Sequence, residues 1–368
     1  MQIKSISVDE IQIPLLKPYV SALRRVDNIK DIVVTIRTSN GLVGYGSATA
    51  TPAITGDTYE SIISAIINAI SPKILGRNLL EFENVINLTY SSIEKNFSAK
   101  AAVDIALHDL MAKYYNVPLY QFLGGSVNRI TTDMTIGLNT IDEMVDNAKN
   151  LVSNGVKTLK IKAGMAAQDD LAAIQAIRNA VGENIRLCID VNQQWNVADA
   201  VKIIHEIEKL NLNICMIEQP TAAGDLVGLK YVRDHVDSTI FADESCFSPD
   251  DAMNIISNDM ADGIVVKLMK SGGLYAANTI YQIAKKHDFP CMVGCMLESP
   301  ISIAAMASFS VSKKDIAFVD LGTLVRLKYN PIVGGMQLSK SELILSDQPG
   351  LGIDSLGEIK MLHEIKCD

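Results

Sequence analysis

The stretch TLKIKAG, residues 158–164, decides the reading of this chain. It has the alternation of a β-strand, with Leu159 and Ile161 on one face and Lys160 and Lys162 on the other. The preceding EMVDNAKNLVSNGV (143–156) reads as a helix that ends near Asn154-Gly155. A strand that follows a helix in an α/β protein is covered on both faces. Two ammonium groups pointing the same way in such a place repel each other and lose hydration. A chain keeps such a pair only if something nearby compensates it.

Outward from this stretch the pattern repeats. Short apolar strand candidates occur at TDMTIGL, TLKIKAG, IRLCIDV, NICMIEQP, TIFADE, GIVVKLM, PCMVGCM and IAFVDLG, with helical segments such as QDDLAAIQAIRNAVG between them. Eight βα repeats of this length predict an α/β fold, a modified (β/α)8 barrel of the TIM type. A doubly wound sheet is the rival, but no G-x-G-x-x-G opens the first unit. The barrel is assigned to residues 126–322. Residues 1–125 carry strand patterns (KSISVDEIQIPL; DIVVTIRTSNGLVGYGSA, turning at Ser39-Asn40-Gly41) and then helices, an α+β unit. Residues 323–368 leave the repeat and are expected to return to that unit.

The barrel strands stop on charge. IRLCID ends in Asp190, CMIE in Glu218, TIFAD in Asp243 and GIVVK in Lys267, about one βα module apart each time. Consecutive strand ends are neighbours on one rim, and active sites of such barrels sit on the C-terminal rim. Three carboxylates side by side with nothing between them repel strongly. A hard divalent cation resolves this, and Mg²⁺ takes oxygen ligands while keeping positions open. Asp190, Glu218 and Asp243 are the candidate metal ligands. Lys162 and Lys267 then flank the metal as candidate acid/base groups. One takes the α-proton of a bound carboxylate substrate, the other returns it on the opposite face, and the metal stabilises the enediolate between the two steps. The cation and Lys160 are both expected to lower the pKa of Lys162 toward working pH. Lys160 is a candidate hydrogen-bond donor to the substrate carboxylate.

Other functions fit poorly. The net charge is −9, no long basic run is present, and the three basic residues of GVKTLKIKAG lack interleaved aromatics, so a nucleic-acid surface is not expected. No uninterrupted apolar run approaches the ~20 residues of a membrane span, and the start MQIKSISVDEIQI lacks the apolar core of a signal peptide. Six cysteines without a CxxC pair read as reduced thiols of a cytoplasmic protein. The five histidines (108, 205, 235, 287 and 363) end no barrel strand and read as structural or surface residues. Trp195 follows the metal-binding loop and either packs under the site or fills a gap. Ser245 has no histidine base in view. A Schiff-base lysine enzyme and an inert metal-binding barrel remain as other classes. Borohydride trapping of an adduct marks the first. The lysine pair argues against the second.

The motifs KIK (160–162), DVNQQW (190–195), IEQP (217–220), ADES (242–245) and KLMKSGG (267–273) occur in this order along the chain. In them the sequence resembles the enolase superfamily, in its muconate-cycloisomerase-like subgroup. The resemblance implies a capping domain built from both chain ends, a barrel, one Mg²⁺ and an abstracted α-proton. Within the subgroup it is most similar to dipeptide epimerases of the L-Ala-D/L-Glu type. KPYVSALRRVDNI (17–29) and AITGDT (53–58) resemble their two capping loops. That likeness implies that Arg24 faces an acidic substrate side chain, and that Thr135, Met296 and Glu298 lie at the substrate. It further implies that Asp320 holds the substrate ammonium. The sequence departs from the pattern at VDLGTL, where Gly322 replaces the second acid of an Asp-x-Asp. A racemase of N-succinylamino acids, whose acylated nitrogen is uncharged, needs no acid pair and is the alternative. o-Succinylbenzoate synthesis and muconate cycloisomerisation use the same metal and lysines. The expected substrate is a dipeptide, and the expected assembly a homo-oligomer.

Overall fold

The computed structural model describes residues 1–367. Its first element is a long antiparallel hairpin of β1 (Ile3–Val20) and β2 (Arg25–Thr38). The apolar residues Ile6, Val8, Ile11 and Ile13 are buried on β1, as are Ile32, Val34 and Ile36 on β2. The segment 17–29, expected to be a loop, is mostly strand. Only residues 21–24 turn, with the Ser21 N–H donating to the Arg24 carbonyl (3.0 Å). Pro14 and Pro18 interrupt the ladder, since a proline donates no backbone hydrogen bond. The structure accommodates them by a register shift between Pro14 and Tyr19. β3 (Val43–Thr49) pairs with β2 on one side of the hairpin, and the late strand Lys360–Lys366 pairs with β1 on the other.

Helix α1 (Phe97–Tyr114) lies directly on β3. A Cβ at Gly44 would come within 2.4 Å of the Ala106 carbonyl oxygen, and one at Gly46 within 1.9 Å of that of Ala102, so glycine alone permits this approach. The alanines of α1 that meet the strand are themselves fully buried.

The second body is a ring of eight parallel strands in chain order: β4 (Met134–Ile136), β5 (Thr158–Lys162), β6 (Arg186–Asp190), β7 (Ile214–Glu218), β8 (Ile240–Ala242), β9 (Gly263–Val266), β10 (Cys291–Gly294) and β11 (Ile316–Asp320). The ring closes where the Asp133 N–H donates to the Val319 carbonyl (2.9 Å), which removes the doubly wound rival. Helices follow strands β4 to β10; after β11 only a short 3₁₀ turn, Gly322–Arg326, remains. Below the rim the barrel interior is filled by Cys188, Met216, Phe241, Val265 and Met292, so it is a packed core rather than a pore.

Two buried aspartates fasten the N-terminal sheet and helix to the barrel. Asp104 on α1 accepts from the Leu274 N–H (2.6 Å) at the start of α2 (Leu274–Lys286). Asp31 on β2 accepts from the Ser299 N–H (2.6 Å) just before α3 (Pro300–Val311). Each carboxylate meets the positive end of a helix with free N–H groups. No helix among the described residues is long and apolar enough to cross a membrane.

Candidate active site

The rim follows from strand periodicity. Lys160 and Lys162 both point inward from β5; Asp190 and Glu218 end the next two strands in register with Lys162, and Asp243 directly follows β8. The three carboxylates are fully buried, and so are the lysines, at 1% exposure for Lys160, 8% for Lys162 and 4% for Lys267. Asp190, Glu218, Asp243, Lys160, Lys162 and Lys267 are thus brought together as expected.

The ammonium groups lie among the carboxylates. Lys162 Nζ is 2.6 Å from Asp190 Oδ2, and Lys267 Nζ is 2.6 Å from Asp243 Oδ2 and 3.4 Å from Glu218 Oε1. Lys160 Nζ bridges Asp190 (3.1 Å), Glu218 (3.0 Å) and Asp320. A fourth lysine, Lys270, was not anticipated: it sits 2.7 Å from Asp243 Oδ1 and donates to the carbonyls of Asp243, Cys246 and Val265. Its signal was the second lysine of KLMK, one helical turn after Lys267. Two more side chains extend the network. Asn192 accepts from Lys162 Nζ (2.9 Å) and donates to Glu244 Oε1 (3.1 Å).

These contacts set the protonation balance. Burial alone would raise Asp190 and Asp243, but the adjacent lysines outweigh it and hold both carboxyls well below the usual range. Glu218 is pushed up to about 7 by burial and by the charge of Asp190, and Glu244 to about 8 by burial and by Asp243. Around Lys162 the protein's own charges pull in both directions. Burial, the largest influence, and Lys160 push it down, but Asp190, Tyr19 and Glu218 together outweigh them and the net direction is upward. Lys267 is likewise raised, because Asp243 and Glu218 more than offset burial.

The donor set suits a divalent cation. Asp133, Asp190, Glu218, Asp243, Glu244 and Asp320 form one buried cluster with Lys160, Lys162, Lys267 and Lys270. Burial and the neighbouring carboxylates push Asp133, Glu218 and Glu244 up, a strain that a divalent cation would relieve. Glu244 Oε2 is buried without a hydrogen-bond partner. As they stand, no three His, Cys, Asp or Glu side chains among the described residues converge closely enough to coordinate an ion. The lysine nitrogens take the space between the carboxylates instead.

A cavity opens above this floor. Its lining includes Lys160, Lys162, Asn192 and Lys267 below, Tyr19, Ser21, Leu23 and Arg24 from the hairpin tip, and Thr135, Met296, Asp320, Gly322 and Arg326 from the barrel. Arg24, Thr135, Met296 and Asp320 all line this one cavity. Arg24 Nη1 donates to Thr51 Oγ1 (3.2 Å), and Thr135 Oγ1 donates to Asp320 Oδ1 (3.3 Å). Glu298 does not line the cavity. It is buried behind Met296, whose N–H it accepts (2.9 Å). Gly322 has no room for a side chain: a Cβ would meet the Asp133 carbonyl oxygen at 2.9 Å. Trp195 packs beside the site, its Nε1–H donating to Asp170 Oδ2 (2.9 Å).

Residues 4–124 match the model of the mandelate racemase / muconate lactonizing enzyme N-terminal domain, and residues 143–358 match the enolase C-terminal domain-like model. The L-Ala-D/L-Glu epimerase of Clostridium acetobutylicum is 42% identical over 356 residues, which cover 97% of this chain and 99% of the relative. Among solved structures, the substrate-liganded L-Ala-D/L-Glu epimerase from Bacillus subtilis aligns with a TM-score of 0.95 at 40% identity, over 97% of this chain and 100% of that one. The dipeptide epimerase from Enterococcus faecalis, complexed with Mg and the dipeptide L-Leu-L-Tyr, aligns with a TM-score of 0.92 at 38% identity, over 96% of this chain and 99% of that one. The sequence motifs, the capped barrel and its ring of strand-end acids and lysines agree with these matches: the chain belongs to the mandelate racemase / muconate lactonizing enzyme family of enolase-like proteins.

Proposed function

We propose that this chain is a magnesium-dependent dipeptide epimerase that inverts the α-carbon of the C-terminal residue by a 1,1-proton transfer. The observation that carries the reading is the disposition of two lysines. Lys162 ends β5 and Lys267 follows β9, four strands apart in a ring of eight, and both line one cavity. A carbon held between them meets an amine on either face.

In the proposed reaction one lysine, neutral, takes the α-proton as its C–H bond breaks. The other, protonated, gives a proton to the opposite face, so the pair ends with its charges exchanged. Asp190 and Asn192 fix the Lys162 amine, and Asp243 and Glu218 fix that of Lys267, which limits each to one approach. Asp190, Glu218 and Asp243 would hold the magnesium ion. When bound, that ion supplies Lewis-acid stabilisation for the negative charge that develops on the substrate carboxylate. Lys160, paired to Asp190, Glu218 and Asp320, adds a fixed positive charge beside that carboxylate. Arg24 would meet an acidic C-terminal side chain, and Asp320 the α-ammonium group.

A second reading, racemisation of N-succinylamino acids, is favoured by one observation. Gly322 cannot carry an acid, and Asp320 is the single carboxylate in the lining. Both readings are tested by incubating the Mg²⁺-loaded protein in D₂O with a panel of dipeptides and N-acylated amino acids, followed by mass spectrometry. Gain of one deuterium at the C-terminal α-carbon of dipeptides is expected. Label confined to the N-acyl compounds selects the second reading, and no label in any member contradicts both.

A further inference from the structure

Arg326 in the cavity makes no ion pair among the described residues. Lys160, Lys162 and Lys267 are each paired with carboxylates, and Arg24 donates to Thr51 Oγ1 with Asp31 near enough to favour its charge. Arg326 is different. The arginine ion pairs among the described residues involve Arg25, Arg129 and Arg233, not Arg326. Yet Arg326 lines the same cavity, at intermediate exposure.

Its guanidinium is fixed from two sides. The ring of Tyr19, from the hairpin, lies under it with 4.5 Å from the guanidinium carbon to the ring centroid, and its Nη2 donates to the Thr135 carbonyl. Nε and Nη1 donate to no protein acceptor among the described residues. A planar fork held in this way loses little rotamer freedom when it binds, and it matches a carboxylate with two parallel hydrogen bonds. Leaving such donors half-buried and unpaired is unfavourable, and an incoming anion removes that cost.

The surroundings say which part of a ligand reaches it. Thr135 connects Arg326 to Asp320: its carbonyl receives Arg326 and its hydroxyl donates to Asp320. A carboxylate and a guanidinium thus stand together on the wall beside β4 and β11. Gly322, between them in sequence, presents no side chain.

We propose that Arg326 is a second anion subsite, which binds a carboxylate on the group attached to the nitrogen of the reacting residue. This rests on the epimerase reading above and names its substrate class. Two sources carry that chemistry. One is the side chain of an N-terminal aspartate or glutamate, whose α-ammonium group Asp320 meets at the same time. The other is the free end of a dicarboxylic acyl group such as succinyl, which uses Arg326 alone.

The test compares kcat/KM for matched pairs with the Mg²⁺-loaded enzyme: L-Glu-L-Glu against L-Gln-L-Glu, and N-succinyl-L-Glu against its neutral monoamide. L-Ala-L-Glu reports the underlying reaction. In the wild type one pair should show a preference for the charged member of about ten- to a hundred-fold, the range of a hydrogen-bonded charge. That ratio should fall to about one in Arg326→Met and recover in part in Arg326→Lys. Arg326→Gln serves if the methionine variant does not fold. The pair that carries the Arg326-dependent ratio identifies the source. A ratio near one in the wild type for both pairs, or a ratio that survives Arg326→Met, overturns the subsite and leaves Arg326 as a clamp on Tyr19. Turnover of L-Ala-L-Glu alone with no charge preference overturns this proposal only. No exchange with any compound overturns the epimerase reading and this subsite with it.

Discussion

Lys162 and Lys267 are gripped in the same way across the barrel mouth, each with its Nζ 2.6 Å from one oxygen of a strand-end aspartate. The partners, Asp190 and Asp243, are also two of the three acids that would hold a divalent cation. Acid, lysine and metal therefore compete for the same oxygens. A cation that draws on Asp190 and Asp243 weakens the attraction that now keeps both lysines charged.

Metal binding should accordingly be visible without any substrate. Saturating Mg²⁺ is expected to raise the melting temperature, with a stabilisation of about 2.7 kcal/mol when the ion is at a hundred times its Kd. EDTA should reverse the rise, and Asp243→Asn should abolish most of it. A melting temperature indifferent to Mg²⁺ and EDTA contradicts the assignment of Asp190, Glu218 and Asp243.

Asp104 pins the N-terminal unit to the barrel and pairs with His108, whose Nδ1 is 3.2 Å from Asp104 Oδ1. Burial lowers the His108 pKa, but the aspartate outweighs it and the net direction is upward. Asp104→Ala leaves this histidine and the α2 N-terminus without their acid. The expected cost is about 3–5 kcal/mol in urea unfolding, the range for breaking a buried pair. A loss under about 1 kcal/mol shows that the contact does not fasten the two units.

Glu298 gives a pH signature. Its carboxyl is pushed from 4.5 up to about 8, first by burial and further by Asp31. Between these values the unfolded chain releases the proton while the folded chain keeps it. The native state then binds more protons, so stability falls as pH rises from about 4.5 to 8, by about 1.4 kcal/mol per pH unit from this group. Glu298→Gln should remove that part of the slope and make the protein relatively more stable at pH 8 than at pH 5. Parallel wild-type and variant curves of urea midpoint against pH contradict the buried, protonated Glu298.

The sequence carried the barrel and its charged rim because both follow from periodicity. Asp190, Glu218, Asp243 and Lys267 close apolar runs at a regular interval, and a parallel barrel turns that interval into adjacency. Residues beyond the strand ends escaped. Lys270 lies in the turn after β9, Asn192 and Glu244 lie in loops, and Arg326 lies in a 3₁₀ turn, where the period of two no longer says which way a side chain points. Asp133 just precedes β4, and only the ring closure onto Val319 brings it beside Asp320. The hairpin escaped for a different reason: residues 17–29 resemble a capping loop, whereas β1 pairs with β2 on both sides of the irregularity between Pro14 and Tyr19. Beside Lys162 the sequence did not show how closely Asp190 approaches, at 2.6 Å, which favours the charged amine.

The most direct test of the central claim is α-proton exchange in D₂O by the Mg²⁺-loaded Lys162→Ala and Lys267→Ala variants, each given the two epimers of a dipeptide substrate separately. Neither variant should interconvert the epimers. Each should still wash deuterium into one epimer only, the one whose α-proton faces the lysine that remains, and the two variants should choose opposite epimers. Epimerisation by either variant, or the same epimer labelled by both, would contradict two lysines working on opposite faces of one carbon.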